Sequence, residues 1–164
     1  MSTLPWANAN QRALMHELAG LRALLDAQAR RHGVDPAPPA VMAAAPPDMP
    51  TPPALQRVCD VFGLSRFARA VLLLCAGMAL DGSFGALCAA AQAEPLRPYP
   101  SFGLALAVLP DAHWSALLPT SPLRYWRLLQ LGAGATPTAS MLQIDEKILH
   151  YLAGISHLDE MLIG

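Results

Sequence analysis

Residues 101–152 read SFGLALAVLP DAHWSALLPT SPLRYWRLLQ LGAGATPTAS MLQIDEKILH YL, and their punctuation decides the fold. Ser101 stands before an apolar run that Pro110 must stop, which predicts a helix through Leu109. Asp111 is placed to cap a second helix, with Trp114, Leu117 and Leu118 at i, i+3 and i+4. Ser121 followed by Pro122 puts a cap before a proline at the first helical position, a start signal for a third helix carrying Leu123, Tyr125 and Trp126. Two short strand-like runs follow, 127–131 and 141–144, around a Gly132-Ala133-Gly134 turn and a loop. Asp145 then caps a closing helix bearing Ile148, Leu149 and Leu152, and Ser156 and Asp159 have capping-box spacing for one more turn.

Three helices, a two-stranded wing and a closing helix make residues 101–164 a winged-helix-like subdomain. Working outward, residues 54–100 read as a helical subdomain. Leu55, Val58, Cys59 and Phe62 mark a short helix ended by Gly63, and Ser65 caps a long apolar helix to about Leu80. Asp81 or Ser83 caps another through Ala93, with Phe84, Leu87 and Cys88 inward, before the proline-punctuated stretch 94–100. Residues 33–53 carry eight prolines and should form an extended tether, open to protease, because proline lacks a backbone donor and locks φ. Residues 1–32 form an N-terminal helix. Leu14, Leu18, Leu21 and Leu25 make one stripe, Asn8 or Asn10 can cap the start, and Arg22, Asp26 and Arg30 form an outer ladder. The stripe is shorter than the roughly three to four heptads of a convincing coiled coil. Packing on its own body and self-association through this helix both stay open. The fold class is therefore mainly α, a helical bundle followed by a winged-helix-like module with a short wing.

Composition agrees. The chain has 164 residues, 54% of them hydrophobic but only 6% aromatic, and the excess lies in Ala and Leu, which favour helix. A formal net charge of −1 lacks the basic footprint usual in nucleic-acid binders. The most apolar run, 70–80, lies between Arg69 and Asp81 and falls well short of the roughly 20 residues of a spanning helix, so no membrane partner is expected. The first residues show no basic n-region followed by an apolar run, so no signal peptide is expected, and Cys59, Cys75 and Cys88 show no CxxC spacing. They read as reduced, buried thiols of a cytoplasmic protein.

Catalytic signatures fail in turn. The Gly132–Gly134 turn has no lysine to reach a phosphate, and Gly82-Ser83-Phe84-Gly85 misses the spacing of a nucleophile elbow. Glu146 and His150 share a helix face and read as a surface pair. No enzyme, catalytic residue, metal ligand or cofactor is expected of this chain. A DNA reader of this class would lay the third helix in the major groove, yet Arg124 and Arg127 offer only a thin electrostatic contribution. Because neighbouring helix positions point about 100° apart, Tyr125 and Trp126 cannot both face the core. With Trp114 able to fill it, Arg124, Tyr125, Trp126 and Arg127 form the expected partner-binding surface; the alternative is that both aromatics wrap the hairpin and bury.

Several segments carry a family resemblance. Residues 62–67 (FGLSRF) and 71–77 (VLLLCAG), 99–102 (YPSF) with 104–107 (LALA), 109–117 (LPDAHWSAL), 121–128 (SPLRYWRL) and 144–154 (IDEKILHYLAG) together resemble the N-terminal region of a bacterial AAA+ ATPase family. The resemblance covers about 54–162, and the first helix with Asn10-Gln11-Arg12 more weakly. It implies a helical and winged-helix domain placed before ATPase modules that would begin beyond Gly164. ATP chemistry would belong to those modules. Some members resemble ATPases encoded with contractile injection systems. The partners implied are the ATPase modules and a remodelled substrate or particle component, with a DNA-binding winged-helix regulator as the alternative. Ala68 and Ala79 stand where the family would have acidic residues, so any salt bridge made there is lost.

Overall fold

A computed structural model describes residues 4–35, 49–132 and 136–154. Helix α1 (Leu4–Arg31) lays its leucine stripe, Leu14, Leu18, Leu21 and Leu25, against α3 (Arg66–Leu80) and α4 (Phe84–Gln92), where all four leucines are buried. The stripe is thus used within the chain. The helix begins ahead of Asn8 and Asn10, so neither caps it. Asn10 is buried instead: its Oδ1 accepts from the Ala54 N–H at 2.8 Å and its Nδ2 donates to the Leu152 carbonyl at 3.0 Å. It supplies the cap that Pro53 cannot give to α2 (Ala54–Phe62). The outer ladder also gives way, since Arg22 turns inward to donate to Ser83 Oγ at 2.6 Å and to Asp81 at 3.4 Å. Of the proline-rich tether, residues 36–48 lie outside the described residues. Its end meets α1, where the Trp6 indole donates to the Pro52 carbonyl at 3.3 Å and Arg57 sits 5.7 Å from the Trp6 ring centre.

Local signals place the next elements. Gly63, at φ 64°, closes α2 in the left-handed region that an L side chain resists. Ser65 Oγ accepts from the Ala68 N–H and opens α3, which is buried without a break from Val71 to Gly77. Among the described residues no helix is long and apolar enough to cross a membrane. Asp81 accepts from both the N–H and the hydroxyl of Ser83 at the entry to α4. Partial burial opposes ionisation of Asp81, but these bonds and Arg22 outweigh it and hold its carboxyl below the usual range. Ser101 Oγ accepts from the Leu104 N–H and opens α5 (Phe102–Val108), as its position predicts.

Beyond Pro110 the structure departs from the reading. Asp111 caps nothing: its backbone is left-handed at φ 57° and its carboxylate lies 3.4 Å from Arg66. The second helix is a single 3₁₀ turn, Trp114–Leu117, behind His113, and the third, α6 (Pro122–Tyr125), is also one turn. Pro119 bounds the 3₁₀ turn on its C-terminal side, and α6, which starts at Pro122, ends where Arg127 turns left-handed. Arg127, at φ 56°, then reverses the chain so that Leu128 enters the core and its N–H reaches the Leu123 carbonyl.

The wing is present. Strands β1 (Leu129–Leu131) and β2 (Leu142–Ile144) pair antiparallel with Leu129 opposite Ile144 and Leu131 opposite Leu142. On its other side β2 meets the start of α5, through a Ser101–Met141 bridge and a Leu142 N–H bond to the Pro100 carbonyl. Asp145 caps α7 (Glu146–Leu152) by accepting from the Ile148 N–H at 3.1 Å. The Ser156/Asp159 capping box lies outside the described residues. One buried cluster takes in Leu14 of α1, Phe67 and Leu74 of α3, Phe84 of α4, Phe102 of α5, Leu142 of β2 and Leu152 of α7. The architecture is a helical bundle followed by a winged-helix module.

Candidate functional site

Because α6 is one turn long, it buries only Leu123, and both of its aromatic neighbours stay outside. Tyr125 is 63% exposed and Trp126 55% exposed. Their rings meet edge to face at 5.0 Å, and Trp126 leans on Phe62, at the end of α2, with ring centres 5.7 Å apart. Val61 beside Phe62 is exposed as well. Tyr125 and Trp126 therefore do not wrap the hairpin.

The same surface continues across the α2–α3 turn. Ser65 Oγ lies 3.0 Å from His113 Nε2, His113 Nδ1 lies 2.6 Å from Ser115 Oγ, and the imidazole packs on Phe67. Beside His113, Trp114 touches Phe102 but is 65% exposed. The expectation that Trp114 fills the core is thus overturned. In a 3₁₀ turn successive residues point about 120° apart, and Ala116 takes the buried position. Leu118, just after the turn, is exposed too.

The two arginines differ. Arg124 Nη1 donates to the Leu117 carbonyl at 2.8 Å, tying α6 to the 3₁₀ turn, whereas Arg127 projects from its left-handed corner into solvent. Of the four residues singled out from sequence, Tyr125, Trp126 and Arg127 face outward, and Arg124 is half-committed to the fold. Phe62 joins them through its contact with Trp126, with Val61 exposed beside it, and Trp114 and Leu118 are further exposed apolar residues at the 3₁₀ turn. Phe62, Trp114 and Leu118 carried a sequence signal as apolar-face residues, and for Trp114 and Leu118 the helical spacing pointed inward where the structure leaves them exposed.

Chemistry elsewhere is sparse. Glu146 and His150 lie 3.9 Å apart at the surface of α7. Among the described residues no group of His, Cys, Asp and Glu could hold a metal. Burial pushes the thiols of Cys59 and Cys75 up and raises Cys88 to about 12, which keeps all three protonated and poor nucleophiles. Ser65 and His113 form a hydroxyl–imidazole pair, but Ser65 Oγ also caps α3, and the nearby Asp111 carboxylate turns to Arg66 rather than to the imidazole.

Against known proteins, the chain matches the family model described as "Winged helix domain, variant" over residues 6–164, and it belongs to that family. No curated protein and no solved structure matches it.

Proposed function

We propose that this winged-helix domain is a non-catalytic protein-interaction module, that it docks its partner on the Tyr125/Trp126 surface, and that it stands ahead of the ATPase modules of a AAA+ machine. The observation that carries the first part is the pair of exposed aromatics beside Arg127, continued by Phe62 with the exposed Val61 next to it. Keeping large aromatic rings in water is unfavourable, and Trp, Tyr and Arg together are the composition of protein-binding hot spots. The AAA+ placement rests on the sequence resemblance alone. A reducing, cytoplasmic location goes with the three unpaired cysteines.

DNA binding is the competing role for a winged helix. Three observations weigh against it. The element that should enter the major groove is one turn long, the Arg124 guanidinium is turned to a backbone carbonyl, and the formal net charge is −1. Immobilised wild-type chain and the Tyr125→Ala and Trp126→Ala variants, challenged with the ATPase modules, separate the two roles when run beside a salt-titrated shift assay on duplex DNA. Retention of the modules by wild type and its loss in both variants is the expected result. Submicromolar, steeply salt-dependent DNA binding with no retention of the modules would overturn the proposal.

A further inference from the structure

On the wing side of the molecule, α3, the hairpin and α7 leave an open cleft of about 400 Å³. We propose that this cleft docks a segment of a partner protein that presents an apolar side chain next to a lysine or arginine. The inference does not rest on the Tyr125/Trp126 reading, since none of those residues lines the cleft.

The floor is apolar and adaptable. Met78 comes from α3, Met141 and Ile144 from the β2 strand and its approach, and Leu149 from α7, all of them half-buried. Methionine thioethers fill irregular gaps and repack around varied side chains, which suits a floor that must accept an inserted group. The volume is at the lower end of ligand-sized cavities, enough for one or two side chains but not for a docked helix.

The rim supplies the sign. Among the described residues that line the cleft, the charged ones are Asp145 and Glu146, both acids, and the other polar ones are Gln130 and Gln143. Asp145 spends one carboxylate oxygen on the Ile148 N–H. Glu146 is 84% exposed and its carboxylate lies 3.9 Å from His150, a long contact at a solvated carboxylate that costs little to give up for a better-placed cation. An apolar floor beside two carboxylates complements an apolar side chain flanked by a cation and repels an acidic segment. The exposed Gln130, Gln143 and Glu146 set the polar groups towards solvent and the cleft is open rather than enclosed, so a peptide side chain fits it better than an enclosed small molecule.

Spectra of the full chain labelled at its methionine methyls test this, with a short amphipathic Leu/Lys peptide as the probe and Leu/Glu and Ser/Lys peptides of equal length as controls. The Leu/Lys peptide should shift the Met78 and Met141 methyls saturably while both controls leave them in place. Glu146→Lys should weaken binding roughly three- to tenfold, as expected for reversing one exposed charge. Ala79→Phe, at an exposed lining position, should block the cleft and abolish binding with an unchanged melt. Tyr125→Ala and Trp126→Ala should bind as wild type does. Equal response to the Leu/Glu peptide, binding that survives Ala79→Phe, or no shift at all would overturn the proposal. So would Met78 and Met141 resonances that move on dilution without peptide, which would mean that a second copy fills the cleft.

Discussion

Asn10 gives the most direct test of how this fold is held together. It is 1% exposed, and its amide bridges two helix ends that lie far from it in sequence, the start of α2 and the end of α7. The orientation of the amide follows from its partners: Oδ1 must face the Ala54 N–H and Nδ2 the Leu152 carbonyl. Asn10→Ala removes the cap of α2, worth about 1 kcal/mol and at most about 2. It also leaves a buried helix-terminal carbonyl without its donor, which costs about 1–3 kcal/mol. The sum is about 2–4 kcal/mol, or roughly 5–15 °C in melting temperature for a chain of this length. Urea unfolding followed by circular dichroism measures it, with the slope expected to stay constant.

The companion variant Asn10→Leu separates hydrogen bonding from packing. Leucine keeps most of the volume and makes neither bond, so it should lose about as much stability as alanine. Recovery of wild-type stability in Asn10→Leu would show that the loss in Asn10→Ala came from a cavity, and a loss under about 0.5 kcal/mol in both variants would refute the clasp altogether.

Four further outcomes follow from the same structure. Gly77→Ala should destabilise by about 1–2 kcal/mol in a thermal melt despite the better helix propensity of alanine, because a Cβ there would stand 2.5 Å from the Phe84 ring. Stability should fall as pH rises above about 8.5, since the buried thiols keep their protons in the folded state while unfolded thiols lose them. A urea midpoint that falls equally in wild type and in a Cys75→Ala/Cys88→Ala variant would contradict that assignment. Tyr125→Ala should shift the melting temperature by under about 2 °C, and Trp126→Ala by slightly more because it loses the Phe62 contact; a drop above about 8 °C in either would make the aromatic surface part of the core. Calorimetry with ATP should show no binding, for want of a phosphate-cradling loop and its lysine, and micromolar affinity would contradict that.

What could be read from the sequence was whatever a residue does to its own neighbours. Gly63, Ser65, Ser101 and Asp145 stop or cap helices through contacts three or four residues away, and the structure places each as its position predicts. Asn10 shows the opposite case. It resembles a cap for the helix it sits in, but it is the cap of another helix, with partners 44 and 142 residues along the chain. A local window carries no trace of that.

The stretch between Pro110 and Leu128 failed for a different reason, and the failure bears on function. Apolar spacing of i, i+3 and i+4 defines a face only if a full helix forms, and here the chain makes only single turns, Trp114–Leu117 and Pro122–Tyr125. With the helical face gone, Trp114 moves outward and Ala116 inward, and Tyr125 and Trp126 both reach solvent where a longer helix would have buried one of them. The shortening of the third helix is therefore the same event that exposes its aromatics. On the proposed reading the short third helix counts against a nucleic-acid groove and the exposed rings count for a protein surface, and the paired retention and DNA-shift experiment decides between the two roles.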